Sequence, residues 1–225
     1  MSQTLLISGL LCDATVWRPL LECIDGKVAD FSTQDNLTTM ARDCLRKHSG
    51  HLKIAGHSMG ARVAMEMARL APERVEKLAL LDTGIHPLRD GEPAKRAEIV
   101  HFAHENGMAA LANRWLPDMV YAPNQSNKAL MTKLKNMVLR ATPDLHARQI
   151  KALVDRPDAS AYLAQIECPV LLIVGQEDQW SPVSQHEDML KLLPNARLEI
   201  IADAGHFAPI EQPESVARLL ADFLS

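Results

Sequence analysis

Short apolar runs, most of them cut off by glycine or aspartate and each followed by a helical pattern, constrain this chain more than any other feature. Thr4–Ser8 stops at Gly9, Leu52–Ala55 runs into Gly56, Val75–Leu81 stops at Asp82, and Pro169–Val174 stops at Gly175. Arg197–Ala202 ends before Asp203, and Lys27–Phe31 is a weaker run of the same kind. Amphipathic stretches lie between them at Thr15–Ile24, Leu37–His48, Met59–Leu70, Val183–Leu193 and Ser215–Leu224. Unbroken apolar strands belong to sheets covered on both faces, and helical crossovers make neighbouring strands parallel. The expected class is α/β: a mostly parallel, twisted sheet of about six strands with helices on both faces.

One stretch breaks the rhythm. From Pro87 to Gln165 there are only helical patterns, at Pro93–Glu105, Met108–Leu116, Ser126–Leu139 and Pro143–Val154. That is too long for a plain crossover and too helix-rich for a loop. An all-helical cap at residues 87–165 is therefore expected, inserted into a core formed by 1–86 and 166–225.

Composition removes several function classes. With 47% hydrophobic and 23% charged residues the chain is not of a disordered type. A formal net charge of −4 provides no field for nucleic acid. From His86 to Tyr162, however, 11 Lys/Arg face 8 Asp/Glu, while the remainder holds 13 against 20. A mildly basic middle segment suits either an anionic substrate or an ordinary solvated helical surface. Cys12, Cys23, Cys44 and Cys168 form no paired motif and read as reduced thiols. Thr4–Ile7 is too short for a secretory leader and no run reaches the ~20 residues of a membrane span, so a cytoplasmic protein is expected. His101 and His104 lack a third ligand nearby, so neither a metal nor another cofactor is expected.

The sharpest motif is Gly56-His57-Ser58-Met59-Gly60, which fits G-x-S-x-G between a strand and a helix. So tight a turn strains the central residue, and the small residues on either side let neighbouring backbone pass. The hydroxyl of Ser58 then projects beside the positive end of a helix, where a developing oxyanion is favoured. A serine that merely caps the helix is the bland alternative. Adjacent residues on such a turn point apart, so His57 reads as packing or as a support for the catalytic residues, and not as the base.

A serine nucleophile needs a base, and the base needs a carboxylate to fix its tautomer. Strand–GHSMG–helix, then PVLLIVGQEDQWSP, then AGHFAPIEQP, resembles the α/β-hydrolase superfamily, and most closely its small capped esterases and lactonases. The resemblance spans nearly the whole chain with the motifs in the family's order. It implies Asp178 as triad acid and His206 as general base, with Asp82 as the alternative acid and Asp203 as a turn residue. It also implies an oxyanion hole from the backbone N–H groups of Leu10 and Met59. Ser8 stands where the family usually has histidine, which leaves the main-chain donor in place. Trp17 matches a tryptophan frequent in this stretch. An N-terminal antiparallel hairpin common in the family has no room here.

The function implied is cleavage of a carboxylic ester, lactone or thioester of a small molecule through an acyl-enzyme. Carbon–carbon bond hydrolysis or cofactor-free oxidoreductase chemistry could use the same triad, and a silent relative would only bind a small ligand. Trp115 and Leu111 are candidate substrate contacts. Met108, Leu116, Met131 and Leu134 could join them or form the cap's own core. No nucleic-acid or membrane partner is expected, and oligomeric state is not legible.

Overall fold

A computed structural model describes residues 2–225. Six strands form one sheet in the order β2-β1-β3-β4-β5-β6: β1 (Gln3–Ile7), β2 (Lys27–Val28), β3 (Leu52–His57), β4 (Val75–Leu81), β5 (Val170–Gly175) and β6 (Ala196–Ile201). Every pair is parallel. Alternate side chains therefore enter two separate cores, as a strand's period of two requires. Leu5, Ile7, Leu52, Ile54, Leu78, Leu80, Val170 and Leu172 face one. Leu6, Ala55, Ala79, Leu81, Leu171 and Ile173 face the other.

The first core is covered by α2 (Leu37–Lys47) and α3 (Met59–Leu70). Asn36 starts α2 by accepting from the Thr39 N–H, and Leu37, Met40, Ala41 and Cys44 form its buried stripe. The second is covered by α1 (Arg18–Leu21) and α9 (Pro213–Leu224), where Val216, Ala217, Leu220 and Leu224 point inward. α7 (Val183–Leu192) and the single turn α8 (Ala208–Glu211) complete the frame.

Between β4 and β5 the chain makes α4 (Glu92–Trp115), α5 (Lys128–Leu139) and α6 (Pro143–Val154). Asn127 and Thr142 cap α5 and α6 through the Leu130 and Leu145 amides. Pro143 occupies the first turn of α6, where a missing N–H costs nothing.

Two sequence expectations are corrected. Thr15–Ile24 is not one helix: Ala14–Val16 is a 3₁₀ turn and α1 starts at Arg18, because Pro19 fits only the first turn of a helix. The Lys27–Phe31 strand ends at Val28, where Asp30 folds back to accept from the Ser32 N–H. Gly107, at φ 78° and ψ 170°, breaks the helical geometry within α4 between the two helical patterns read at Pro93–Glu105 and Met108–Leu116.

Parallel strands bring their carboxyl ends to a single edge. The chain turns outward from β1 to β2 and then returns to β3 on the opposite side, so the order reverses between β1 and β3. A crevice at such a reversal is where open α/β sheets place ligands. The loop after β1 and Ser58 after β3 flank it.

Candidate active site

Ser58 sits at φ 54°, ψ −116°, in the region where a side chain is strained. Its N–H donates to Leu81 O (2.8 Å) and its carbonyl accepts from Thr83 Oγ1 (3.1 Å), so β4 and the residues after it hold the turn. Close passage is literal on both sides. A Cβ on Gly56 would lie 2.5 Å from Gly60 O, and one on Gly60 would lie 2.0 Å from Ile7 O.

The Ser58 hydroxyl is 2.8 Å from His206 Nε2, and His206 Nδ1 is 2.8 Å from Asp178 Oδ2. A carboxylate accepts, so Nδ1 carries the proton and Nε2 is free to take one from serine. The other oxygen of Asp178 accepts from the Trp180 and Ser181 amides (2.8 and 2.9 Å). Burial pushes this carboxyl up, but its electrostatic interaction and hydrogen bond with the His206 ring, then the two amides, hold it below its ordinary value. The acid's turn is laced to the base's loop: Glu177 N–H donates to Ala204 O, and a Cβ on Gly175 would lie 2.1 Å from Gly205 O.

Asp82, the alternative acid, is fully buried at the end of β4 and accepts from the Gly175 N–H (3.0 Å). Burial and the nearby Asp178 push its carboxyl well up, toward the neutral form. The partner of the His206 ring is Asp178. Asp203 occupies a left-handed turn position at φ 57°.

Of the groups that hold the base, sequence reasoning offered His57 as a possible support and missed the others. His57 Nε2–H donates to the His206 carbonyl (2.8 Å), and burial, with His206 nearby, lowers the His57 ring to about 3, keeping it neutral. The His206 N–H donates to Met119 O (2.8 Å). Glu211 accepts from the Gly205 and Phe207 amides on either side of the base, and from the Tyr121 amide and Asn124 side chain of the inserted segment. His186 accepts from the Thr83 N–H (3.1 Å) through Nε2 and so supports the residue that holds Ser58. Only the Gly-His-Phe…Glu spacing hinted at Glu211; the other contacts join residues too distant in sequence to form a pattern.

In the loop after β1, a Cβ on Gly9 would lie 3.0 Å from Ser58 Cβ, so the backbone runs against the nucleophile. Ser8 donates to Asp13 O (3.0 Å) and accepts from Trp17 Nε1 (3.0 Å), which knits the loop without the family's histidine. Leu11, at φ 58°, donates its N–H to Gln149 Oε1 (2.9 Å) of α6. Met59 opens α3, so its N–H has no acceptor within the helix. A backbone donor so placed beside a hydroxyl can stabilise a tetrahedral oxyanion.

A cavity of about 800 Å³ opens onto Ser58 and His206 and is roofed by residues of α4 and α6. Leu10, Met59, Leu111 and Trp115 line it, and Trp115 meets Phe207 edge-on at 5.9 Å. Met108, Leu116 and Leu134 are buried in the second core, with Met131 packed against it. His101 and His104 are exposed on α4 and face Glu105 and Asp144. Among the described residues no cluster of three His, Cys, Asp or Glu could hold a metal. The four cysteines are unpaired, and no helix of the described residues is long and apolar enough to cross a membrane.

A family model described as the alpha/beta hydrolase fold matches residues 22–213. A Bacillus subtilis (strain 168) protein, named provisionally as a 2-succinyl-6-hydroxy-2,4-cyclohexadiene-1-carboxylate synthase, is 28% identical over 206 residues, covering 87% of this chain and 73% of that protein. A 2-hydroxy-6-oxononadienedioate/2-hydroxy-6-oxononatrienedioate hydrolase of Cupriavidus pinatubonensis is 28% identical, and its match spans 76% of this chain and 61% of the relative's length. The structure of a thermophilic esterase from Thermogutta terrifontis, with malate bound, superposes with a TM-score of 0.91 at 28% identity, covering 100% of this chain and 89% of that one.

Proposed function

The chain belongs to the alpha/beta hydrolase fold family, and from that premise we propose a serine hydrolase that cleaves a carboxylic ester, lactone or thioester of a small molecule. The observation that carries this reading is the unbroken chain Asp178–His206–Ser58, with both links at 2.8 Å, ending on a strained serine.

The reaction follows from those contacts. His206 Nε2 removes the Ser58 proton as Oγ adds to the scissile carbonyl, and the Leu10 and Met59 amides hold the resulting oxyanion. The intermediate collapses, the imidazolium returns its proton to the departing alcohol, and the acyl group stays on Ser58. Water then gives a proton to His206 as it attacks the acyl carbon. Collapse releases the acid, and the same proton returns to Ser58. Asp178 stabilises the imidazolium in both halves. Residues 87–165 act as the cap whose inner face, including Leu111 and Trp115, shapes the pocket. The unpaired cysteines suit a reducing compartment, and we place the protein in the cytoplasm.

The T. terrifontis esterase supports ester chemistry. Carbon–carbon hydrolysis is a second reading, favoured by the C. pinatubonensis relative, whose name gives its substrate as an oxo-dicarboxylate and not an ester. Hydrolysis of a panel of esters, lactones, thioesters and vinylogous diketones, with fluorophosphonate labelling, tests both. Ser58→Ala is expected to abolish labelling and lower kcat on the order of 10⁶-fold. Labelling elsewhere, or an unchanged kcat, removes Ser58 from the mechanism.

A further inference from the structure

Arg62 lies four residues along α3 from Ser58, a rise of about 6 Å, on the same helix face. Its Cα–Cβ bond leans toward the start of the helix, and the side chain forms part of the wall of the cavity that holds Ser58. A guanidinium carries five N–H donors. Here its one protein hydrogen bond is a long contact from Nη2 to His86 O at 3.4 Å, while Nη1 is buried without a partner.

No described carboxylate pairs with Arg62, although the wall has acids. Glu92 is the obvious candidate, and it is taken: Arg156 grips both of its oxygens at 2.7 and 2.9 Å, and Arg96 adds a third bond at 2.7 Å. Burial pushes the Glu92 carboxyl up, but those two arginines overcome it and hold the group at about 2, fully charged and neutralised. Burial, with Arg156 nearby, pushes Arg62 down to about 9, still protonated at neutral pH. A half-buried cation so placed keeps an unmet demand for an anion.

We propose that Arg62 docks a carboxylate carried by the substrate, so that the preferred esters are anionic ones, with the charge a few bonds from the scissile carbonyl. This inference rests on the hydrolase reading and narrows it. It also gives the basic balance of the middle segment a role, since Arg156 and Arg96 supply the charge that occupies Glu92.

The test compares methyl hydrogen succinate, glutarate and adipate, and acetoxyacetate, each with the uncharged ester in which methyl replaces the carboxylate. In the wild type at least one charged ester should be preferred about tenfold or more in kcat/KM. In Arg62→Met that preference should fall by roughly 10–100-fold, the range expected for a charge-assisted hydrogen bond; Arg62→Lys should retain part of it. Calorimetric titration with glutarate needs no turnover and should show affinity at least tenfold weaker in Arg62→Met. Wild-type indifference to charge, an unchanged ratio in the variant, or equal glutarate affinity overturns the assignment. If Ser58 takes no fluorophosphonate and no ester is cleaved, the hydrolase reading falls, and the glutarate titration alone decides the role of Arg62.

Discussion

Replacing Gly60 with alanine sets two effects of known size against each other. Gly60 is the second residue of α3, and helix propensity alone favours alanine there by about 1 kcal/mol. Sterics oppose it. The added Cβ would lie 2.0 Å from Ile7 O, 2.6 Å from Ile7 C and 2.7 Å from Ser8 O, all of them backbone atoms. Cβ contacts below 3.0 Å essentially do not occur, so the start of α3 and the end of β1 must separate by about 1 Å. Both segments are packed in the core, where forced expansion costs about 1–3 kcal/mol or more. The same displacement moves the Leu10 amide away from Ser58, and a misplacement of ~1 Å can cost ~10²-fold in rate. Gly60→Ala should therefore be less stable in urea by at least ~1 kcal/mol, with kcat/KM on a short-chain ester reduced ~10²-fold. A variant with the wild-type midpoint and a rate within threefold would refute the steric account and, with it, the coupling of β1 to the nucleophile.

The acid assignment separates two buried carboxylates. Asp178→Asn should lower kcat by ~10⁴-fold in steady-state ester assays, because the His206 tautomer is no longer fixed; Asp82→Asn, at a group that burial already favours as neutral, should cost less than ~10-fold. The reverse order would move the acid to Asp82. Stability should fall on acidification. Burial lowers His57 to about 3 and His146 and His186 to about 4, from an ordinary 6.5, so the unfolded chain takes up protons that the folded one refuses. Their stabilisation is complete above pH 6.5 and is lost as pH drops toward 4. By pH 5 each forfeits about 2 kcal/mol, together much of the ~5–15 kcal/mol of a whole domain. Urea midpoints equal at pH 7.5 and 5 would count against all three. Glu211→Ala strands the Gly205, Phe207 and Tyr121 amides, and should cost at least ~3 kcal/mol by chemical denaturation while lowering kcat.

Whatever local rules decide, the sequence displays. Gly56–Gly60 is legible because a strand, a forced turn and a helix meet within a few residues. Ser58, Asp178 and His206 are distant along the chain, yet each follows a strand, and a parallel sheet delivers all strand ends to one edge. Pro19 carries a visible stop signal that an amphipathic pattern obscures, whereas Gly107 reads as a break and interrupts α4 accordingly. Arg62 resembles any solvated helix residue until the roof of the cavity is known. His57, Met119 and Glu211 act through contacts with main-chain atoms of remote loops, and no periodicity encodes such a contact.

The bonds that join Met119, Tyr121 and Asn124 to the loop of His206 limit how this chain can be re-engineered or can diverge. The inserted helices are not an interchangeable lid. A graft that replaced the whole insertion would carry away anchors of the base and leave an intact nucleophile beside a loosened imidazole. Recombination that keeps residues 116–127 with the core and exchanges only the flanking helices could change what the pocket admits while sparing the chemistry beneath it.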